Sequence, residues 1–313
     1  MADFHIIPTY SFEDLLEKLK NYDDKHWIFR GQYCEWHLES SLERAIESSG
    51  LNLKEDGEKI EAEMIRSFRR YYDGEDRKIV AKDTLYCLSL LQHHGAPTRL
   101  LDWTYSWYVA VYNAIECAFN NAKKGELKRN CAVWYLDTDW CSSKAKESII
   151  TQKMKKPKMT EEKVKKEVKE FMENRGDDKK RIEHPEIFDK WHHIKNIKFR
   201  SLEGPYKFVL KENPFTLHNR LFVQQAVSLC PGDLSVPFEE NLEALAGWEE
   251  HVGKITCSMS IDNFQKALKD LWKMNISRAS LYPGLDGYVS SMKYNIGLFR
   301  EIRGLREKAK QTL

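Results

Sequence analysis

The chain lacks the marks of several protein classes. It has no C-x-x-C pair, no large excess of either charge, and no run approaching the ~18 apolar residues of a membrane span. Its seven cysteines (Cys34, Cys87, Cys117, Cys131, Cys141, Cys230, Cys257) form an odd set without metal-ligand spacing. They give neither a disulfide framework nor a metal site, and they favour a reducing compartment. With acidic Asp3 near its start and no apolar signal run, the chain reads as cytoplasmic, with no membrane role. Basic and acidic residues nearly cancel at +2, so any nucleic-acid contact has to come from a local patch. No acidic cluster suits Mg²⁺, which argues against a nuclease. No internal repeat is visible.

What is present suffices for a real core: 313 residues, 42% of them hydrophobic. Nine Trp and fourteen Tyr exceed what that core needs, so some of them are expected to line a pocket. Helical patterns cover Ser11 to Lys20 (Ser11 as cap), Ser41 to Ser49, Glu58 to Tyr72 and Asp83 to His94, the last with Asp83 as N-cap and Gly95 as its stop. Trp107 to Phe119 repeats small and apolar residues at helical spacing and is the candidate central helix. Strands are expected at Trp27 to Phe29, ended by Gly31, and at Cys131 to Leu136. Tyr206 to Leu210, Ala226 to Leu229 and Lys254 to Met259 complete the set. Their irregular spacing predicts an α+β fold, a small mixed or antiparallel sheet surrounded by helices. The domain would run over 1–293. A charged helical insertion at 144–200, densest from Lys144 to Arg181, would interrupt it, and a basic helix or tail at 294–313 would follow.

Three constellations carry chemistry. Arg30, at the end of an apolar strand, must reach solvent or find acceptors. Its planar fork can clamp a phosphate, or it can pair with a carboxylate such as Asp102; Gly31 lets another group approach the backbone. Gln92 to Thr104 (Q-H-H-G-A-P-T-R-L-L-D-W-T) reads as a helix-to-loop-to-helix connection. It gathers two imidazoles, a guanidinium, a carboxylate, hydroxyls and an indole, with Thr104 available as a cap for the next helix. His93 and His94 diverge on a helix, so no shared metal is expected. Asn219 to Gln225 (N-R-L-F-V-Q-Q) places two amides after an apolar run, either as structural amides at a helix end or with one facing a pocket.

These strings resemble the FRG domain. The Phe29-Arg30-Gly31 triplet, the T-R-L-L-D-W-T core and the small-residue helix after it carry the resemblance. The later N-R-L-F-V-Q-Q-A and Leu281-Tyr282-Pro283-Gly284-Leu285-Asp286-Gly287 strings look like hallmarks of longer members; Ala226 stands where a glycine is usual. Members occur in bacteria and their mobile elements, which implies a defence or toxin setting. A further, fold-level resemblance to the arginine class of ADP-ribosyltransferases implies NAD as the ligand. Arg30 would grip its pyrophosphate or adenosine ribose, with Trp103 or Tyr33 stacking on nicotinamide. The ligand-binding set would be Arg30, Gly31, Gln32, Tyr33, His93, Thr98, Arg99, Trp103, Thr104 and Arg220, and the catalytic set Asp102, Gln224 and Gln225. The late element reads Gln-Gln-Ala without glutamate, and no Ser-Thr-Ser strand is found, so either Asp102 supplies the carboxylate or it serves to orient Arg99 or Arg30. The expected function is an NAD-binding ADP-ribosyltransferase-like enzyme or NAD glycohydrolase acting on a protein or nucleic-acid target. The competing expectation is a non-enzymatic module that senses a nucleotide or a partner.

Overall fold

The computed structural model describes residues 4–24, 26–123, 125–156, 159–175, 205–212, 219–285 and 287–292. The basic segment 294–313 and all of 176–204 lie outside them. Seven strands form one open sheet: β1 (His5–Thr9), β2 (Trp27–Gln32), β3 (Leu101–Thr104), β4 (Lys128–Asp137), β5 (Val209–Glu212), β6 (Ala226–Pro231) and β7 (Val252–Ser260), in the order β1-β7-β4-β2-β3-β6-β5. Among the described strands only the β1–β7 pair is parallel, so the sheet is mixed and mostly antiparallel, inside an α+β fold.

The apolar run Cys131 to Leu136 is continuous because β4 is covered on both faces. Cys131, Val133 and Tyr135 meet α1 (Phe12–Leu19), α6 (Trp107–Asn120) and α10 (Ile261–Lys273); Trp134 and Leu136 join the opposite core. That second core contains α7 (Thr138–Met154) and α8 (Glu161–Arg175). The charged segment is therefore not wholly solvated. Ala145, Ile149, Val164 and Val168 are fully buried, and Lys153 is buried against Glu167, so the lysine-rich composition hid an amphipathic pair. A third layer stacks α3 (Leu53–Tyr71), α4 (Arg77–Lys82) and α5 (Thr84–His93) around Ile65, Leu88 and Leu100, while α2 (Ser41–Ser48) packs by Leu42 and Ile46 near Leu234.

Several expectations are corrected here. Gln92 to Thr104 is not a helix-to-loop-to-helix connection, because Leu101–Thr104 is a central strand with Leu101 and Trp103 buried in the core. Strand β2 does not end at Gly31 but runs through it to Gln32, paired throughout with β4. The approach that Gly31 permits is made by α6: a Cβ there would lie 2.0 Å from the Ala110 carbonyl oxygen and 2.7 Å from the Ala114 nitrogen. Helix α6 is capped by Ser106, which accepts from the Val109 N–H; Thr104 instead donates to the Gln224 carbonyl at 2.7 Å. The strand expected at Tyr206 to Leu210 starts at Val209, and β1 and α4 were not anticipated.

Candidate functional site

β2 and β3 share a single register pair, Phe29 with Thr104, although β2 stays paired with β4 as far as Gln32. A hollow of about 190 Å³ opens beside that split. Arg30 and Gly31 come to it from β2, Asp102 and Thr104 from β3, Ala226 and Ser228 from β6, and Ser89, Gln92 and His93 from the end of α5. Asn113 of α6 and the segment Arg220 to Gln224, mostly the short α9 (Asn219–Val223), close it together with Tyr282.

Arg30 is the electrostatic centre. Its Nη1 donates to the Asp102 backbone oxygen at 2.6 Å, bridging the split where no ladder bond forms. Its Nε is buried and has no partner. Burial lowers the guanidinium to about 10; the Asp102 carboxylate opposes that shift and Arg44 adds to it. At neutral pH Arg30 remains a cation with an unfilled donor, and such a group favours an anion.

The Asp102 carboxylate does not pair end-on with Arg30. It accepts from Gln92 Nε2 at 2.5 Å, and Gln92 in turn accepts from the buried Thr98 hydroxyl. Because a carboxylate only accepts, this chain fixes the Gln92 amide with its nitrogen toward Asp102. Thr98 itself accepts from Leu100 N and exchanges bonds with Ser41, so the carboxylate is held by a tethered network. Across the hollow, the Arg220 guanidinium lies 4.6 Å from the centre of the Tyr282 ring. The Tyr282 hydroxyl donates to Asn113 Oδ1 at 3.2 Å, and Gln224 Nε2 donates to the Leu281 carbonyl at 3.0 Å.

Thus Arg30, Gly31, His93, Asp102, Trp103, Thr104, Arg220 and Gln224 line one hollow, and Gln92, named with its segment, joins them. Other named residues do not. Arg99 is corrected outright: buried beside α3, it makes a two-pronged bond to Glu61 (Nε to Oε1 2.9 Å, Nη2 to Oε2 2.5 Å), so its charge is already matched. Burial alone would lower Arg99, and the Glu61 carboxylate more than reverses it. Gln225, at φ +48°, lines a different hollow, because the left-handed turn sends adjacent glutamines apart. Tyr33 packs edge-on against Trp36, Gln32 accepts from the Trp134 indole, and Thr98 sits behind Gln92, not on the lining.

Ser89, Asn113, Ser228 and Tyr282 line the hollow without having been named as site residues. Asn113 carried a signal, a polar residue within the most apolar helix, and Tyr282 lies in the quoted L-Y-P-G-L-D-G string. Ser89 and Ser228 had none. Among the described residues, no group of three or more His, Cys, Asp or Glu is placed to hold a metal, and no helix is long and apolar enough to cross a membrane.

Fold and site together define an α+β protein with an arginine-lined hollow at a split in its sheet. The family model for the FRG domain matches residues 25–123, and the chain carries an FRG domain over that span. The match runs from the β2 arginine through α6, whereas Arg220, Gln224 and Tyr282 come from beyond it. No curated protein and no solved structure matches the chain.

Proposed function

We propose that the Arg30 pocket binds the phosphate-bearing part of a nucleotide, with NAD as the ligand that the resemblance to ADP-ribosyltransferases implies. The observation that carries this reading is the buried, unpartnered Nε of a charged Arg30, a donor that a phosphate oxygen satisfies. The hollow, at about 190 Å³, is smaller than the roughly 300–1,000 Å³ of sites that enclose a drug-sized ligand. It suits one phosphate-and-sugar portion. A neighbouring hollow of about 170 Å³ shares Arg30, Gln92, Leu100 and Asp102 with it and adds Arg44, and the rest of an elongated anion extends there.

Asp102 supports the enzymatic form of this reading, an ADP-ribosyltransferase-like enzyme or NAD glycohydrolase of a bacterial defence or toxin system, working in the cytoplasm. Cleaving the nicotinamide–ribose bond builds positive charge on the sugar, which a preorganised carboxylate stabilises. Asp102 is the one acid among the described lining residues, and Gln92 holds it in place. The sensing reading draws on another observation: the late Gln224–Gln225 turn offers amides and no second acid, and Gln224 is committed to Leu281.

The test is NAD binding and nicotinamide release by purified protein, wild type beside Arg30→Ala and Asp102→Asn. Release lost in both variants supports cleavage, with Asp102→Asn still binding NAD. Binding without release, abolished by Arg30→Ala, supports the sensor. Neither binding nor release by folded protein, with candidate acceptors present, ends the NAD reading.

A further inference from the structure

On the other side of the Thr104–Tyr105 and Gln224–Gln225 junction lies a second hollow, of about 460 Å³. The junction is tight: Tyr105 N donates to the Gln225 carbonyl at 3.0 Å, and the Thr104 hydroxyl to the Gln224 carbonyl at 2.7 Å. Consecutive residues thus face different hollows, Thr104 and Gln224 the arginine pocket, Tyr105 and Gln225 this one. Phe29 borders both.

The two linings differ in charge. Asp23 and Asp24 bring two carboxylates to the second hollow, and no cation is among its described lining residues. Tyr22, Phe29, Tyr105 and Trp107 supply aromatic walls. One oxygen of Asp23 accepts from the Trp107 indole at 3.1 Å, which fixes that carboxylate against the ring. Lys211 Nζ stands 5.8 Å from the centre of the Tyr105 ring, so that ring already meets a positive charge of the same chain. The volume falls within the range of ordinary ligand pockets. Carboxylates beside aromatic faces recognise a flat cation best, because a guanidinium stacks on a ring while its edge makes paired bonds to a carboxylate.

We infer that this hollow is a binding site for a guanidinium group, free or carried on an arginine side chain of a polypeptide. The assignment stands on the second hollow alone and does not need the arginine pocket to bind NAD.

The experiment is calorimetry of the full chain with ethylguanidinium, with ethylammonium as the plain-amine control, and with a short peptide containing one arginine. Wild type is set beside Asp24→Asn, Tyr105→Leu and Lys211→Met, each verified as folded by circular dichroism. Ethylguanidinium should bind saturably, about tenfold more weakly in Asp24→Asn, where one charge-assisted bond is lost, and a few-fold more tightly in Lys211→Met, where a competing cation is gone. A peptide that binds better than ethylguanidinium assigns the site to a polypeptide arginine, and the reverse assigns it to a free guanidine. No binding at millimolar concentration, equal affinity for ethylammonium, or affinities unchanged in both Asp24→Asn and Tyr105→Leu would overturn the inference.

Discussion

Two arginines in the same sheet neighbourhood meet opposite fates. Arg99 lies under α3, where Glu61 matches its fork and the Pro231 carbonyl stands 3.4 Å from its remaining nitrogen. Arg30 lies at the β2–β3 split, with one bond to a backbone carbonyl and an empty Nε. Both side chains leave strands or loops of the FRG-matched span, and both stood among the ligand-binding residues expected from the sequence. The difference teaches how to separate a structural cation from a binding one: not by burial, which both share in part, but by whether the protein supplies the counter-charge. At Arg99 it does, and at Arg30 the donor is left over.

The most forceful way to break this comparison is to remove one member of the matched pair. Arg99→Leu leaves the Glu61 carboxylate buried without its cation, and the loss should reach about 3–5 kcal/mol. Urea unfolding followed by circular dichroism measures it. The double variant Glu61→Leu with Arg99→Leu should recover most of that loss, because two apolar groups of similar volume need no counter-charge. A double variant as unstable as the single one would show that Arg99 acts through something other than Glu61.

Next in size is Gly31→Ala, which separates the backbone of the Phe-Arg-Gly triplet from its arginine. The added methyl meets main-chain atoms of α6, which cannot rotate away as a side chain could. Overpacking of this kind costs about 3 kcal/mol, read again by urea unfolding. If stability holds, the glycine is present for a ligand and not for the helix.

The part of this contrast that was legible in the sequence was the local part. Ser11 capping α1 at the Asp14 N–H, Asp83 capping α5 and Gly95 at φ +85° each depend on neighbours within a turn. The small-residue face of α6 was equally plain, since Ala114 and Ala118 sit a turn apart. What escaped was set by distant partners. Strand β3 is four residues long and gains its identity from pairing with β6, far along the chain, so its polar Asp102 and Thr104 made it read as a connection. Glu61 precedes Arg99 by 38 residues within an ordinary charged helix, and nothing local marks it as buried. Strand β1 contains Pro8 at the sheet edge, where proline is tolerated but the pattern is weakened. The pocket's near wall was therefore readable as a string, while Tyr282 and Ser228 enter it only through the fold.

A third test sharpens the comparison on the binding side. Arg30→Ala should change stability by less than about 1 kcal/mol, because the lost bond to the Asp102 carbonyl is offset by relief of a desolvated charge. The same variant should weaken a phosphate-bearing ligand by roughly 10- to 100-fold, the worth of one charge-assisted bond of about 1.5–3 kcal/mol. Calorimetry with a nucleotide, beside urea unfolding of the same sample, reads both. A large stability loss with unchanged affinity would move Arg30 into the class of Arg99.

The smallest expected effect is a pH dependence, and its sign follows from the lowered guanidinium pKa. Below about 10, Arg30 is charged in both folded and unfolded chains, and the folded state bears the whole cost of holding that charge away from water. Between about 10 and the higher, ordinary value of a free guanidinium, the folded chain gives up this proton before the unfolded chain does. The unfolded state then binds more protons, so this group's contribution to stability rises with pH across that window. Arg30→Met lacks the contribution. Lysines and tyrosines titrate there too, but in both proteins, so the difference between wild type and variant isolates Arg30. Unfolding free energies of the two should diverge in favour of wild type as pH climbs from about 9 to 11, roughly one unit either side of the lowered value of about 10. A saturating phosphate ligand should flatten that divergence, since a bound anion supplies the missing counter-charge and returns the pKa toward its ordinary value. A flat difference without ligand would mean that Arg30 is already matched in solution, and the contrast with Arg99 would then disappear.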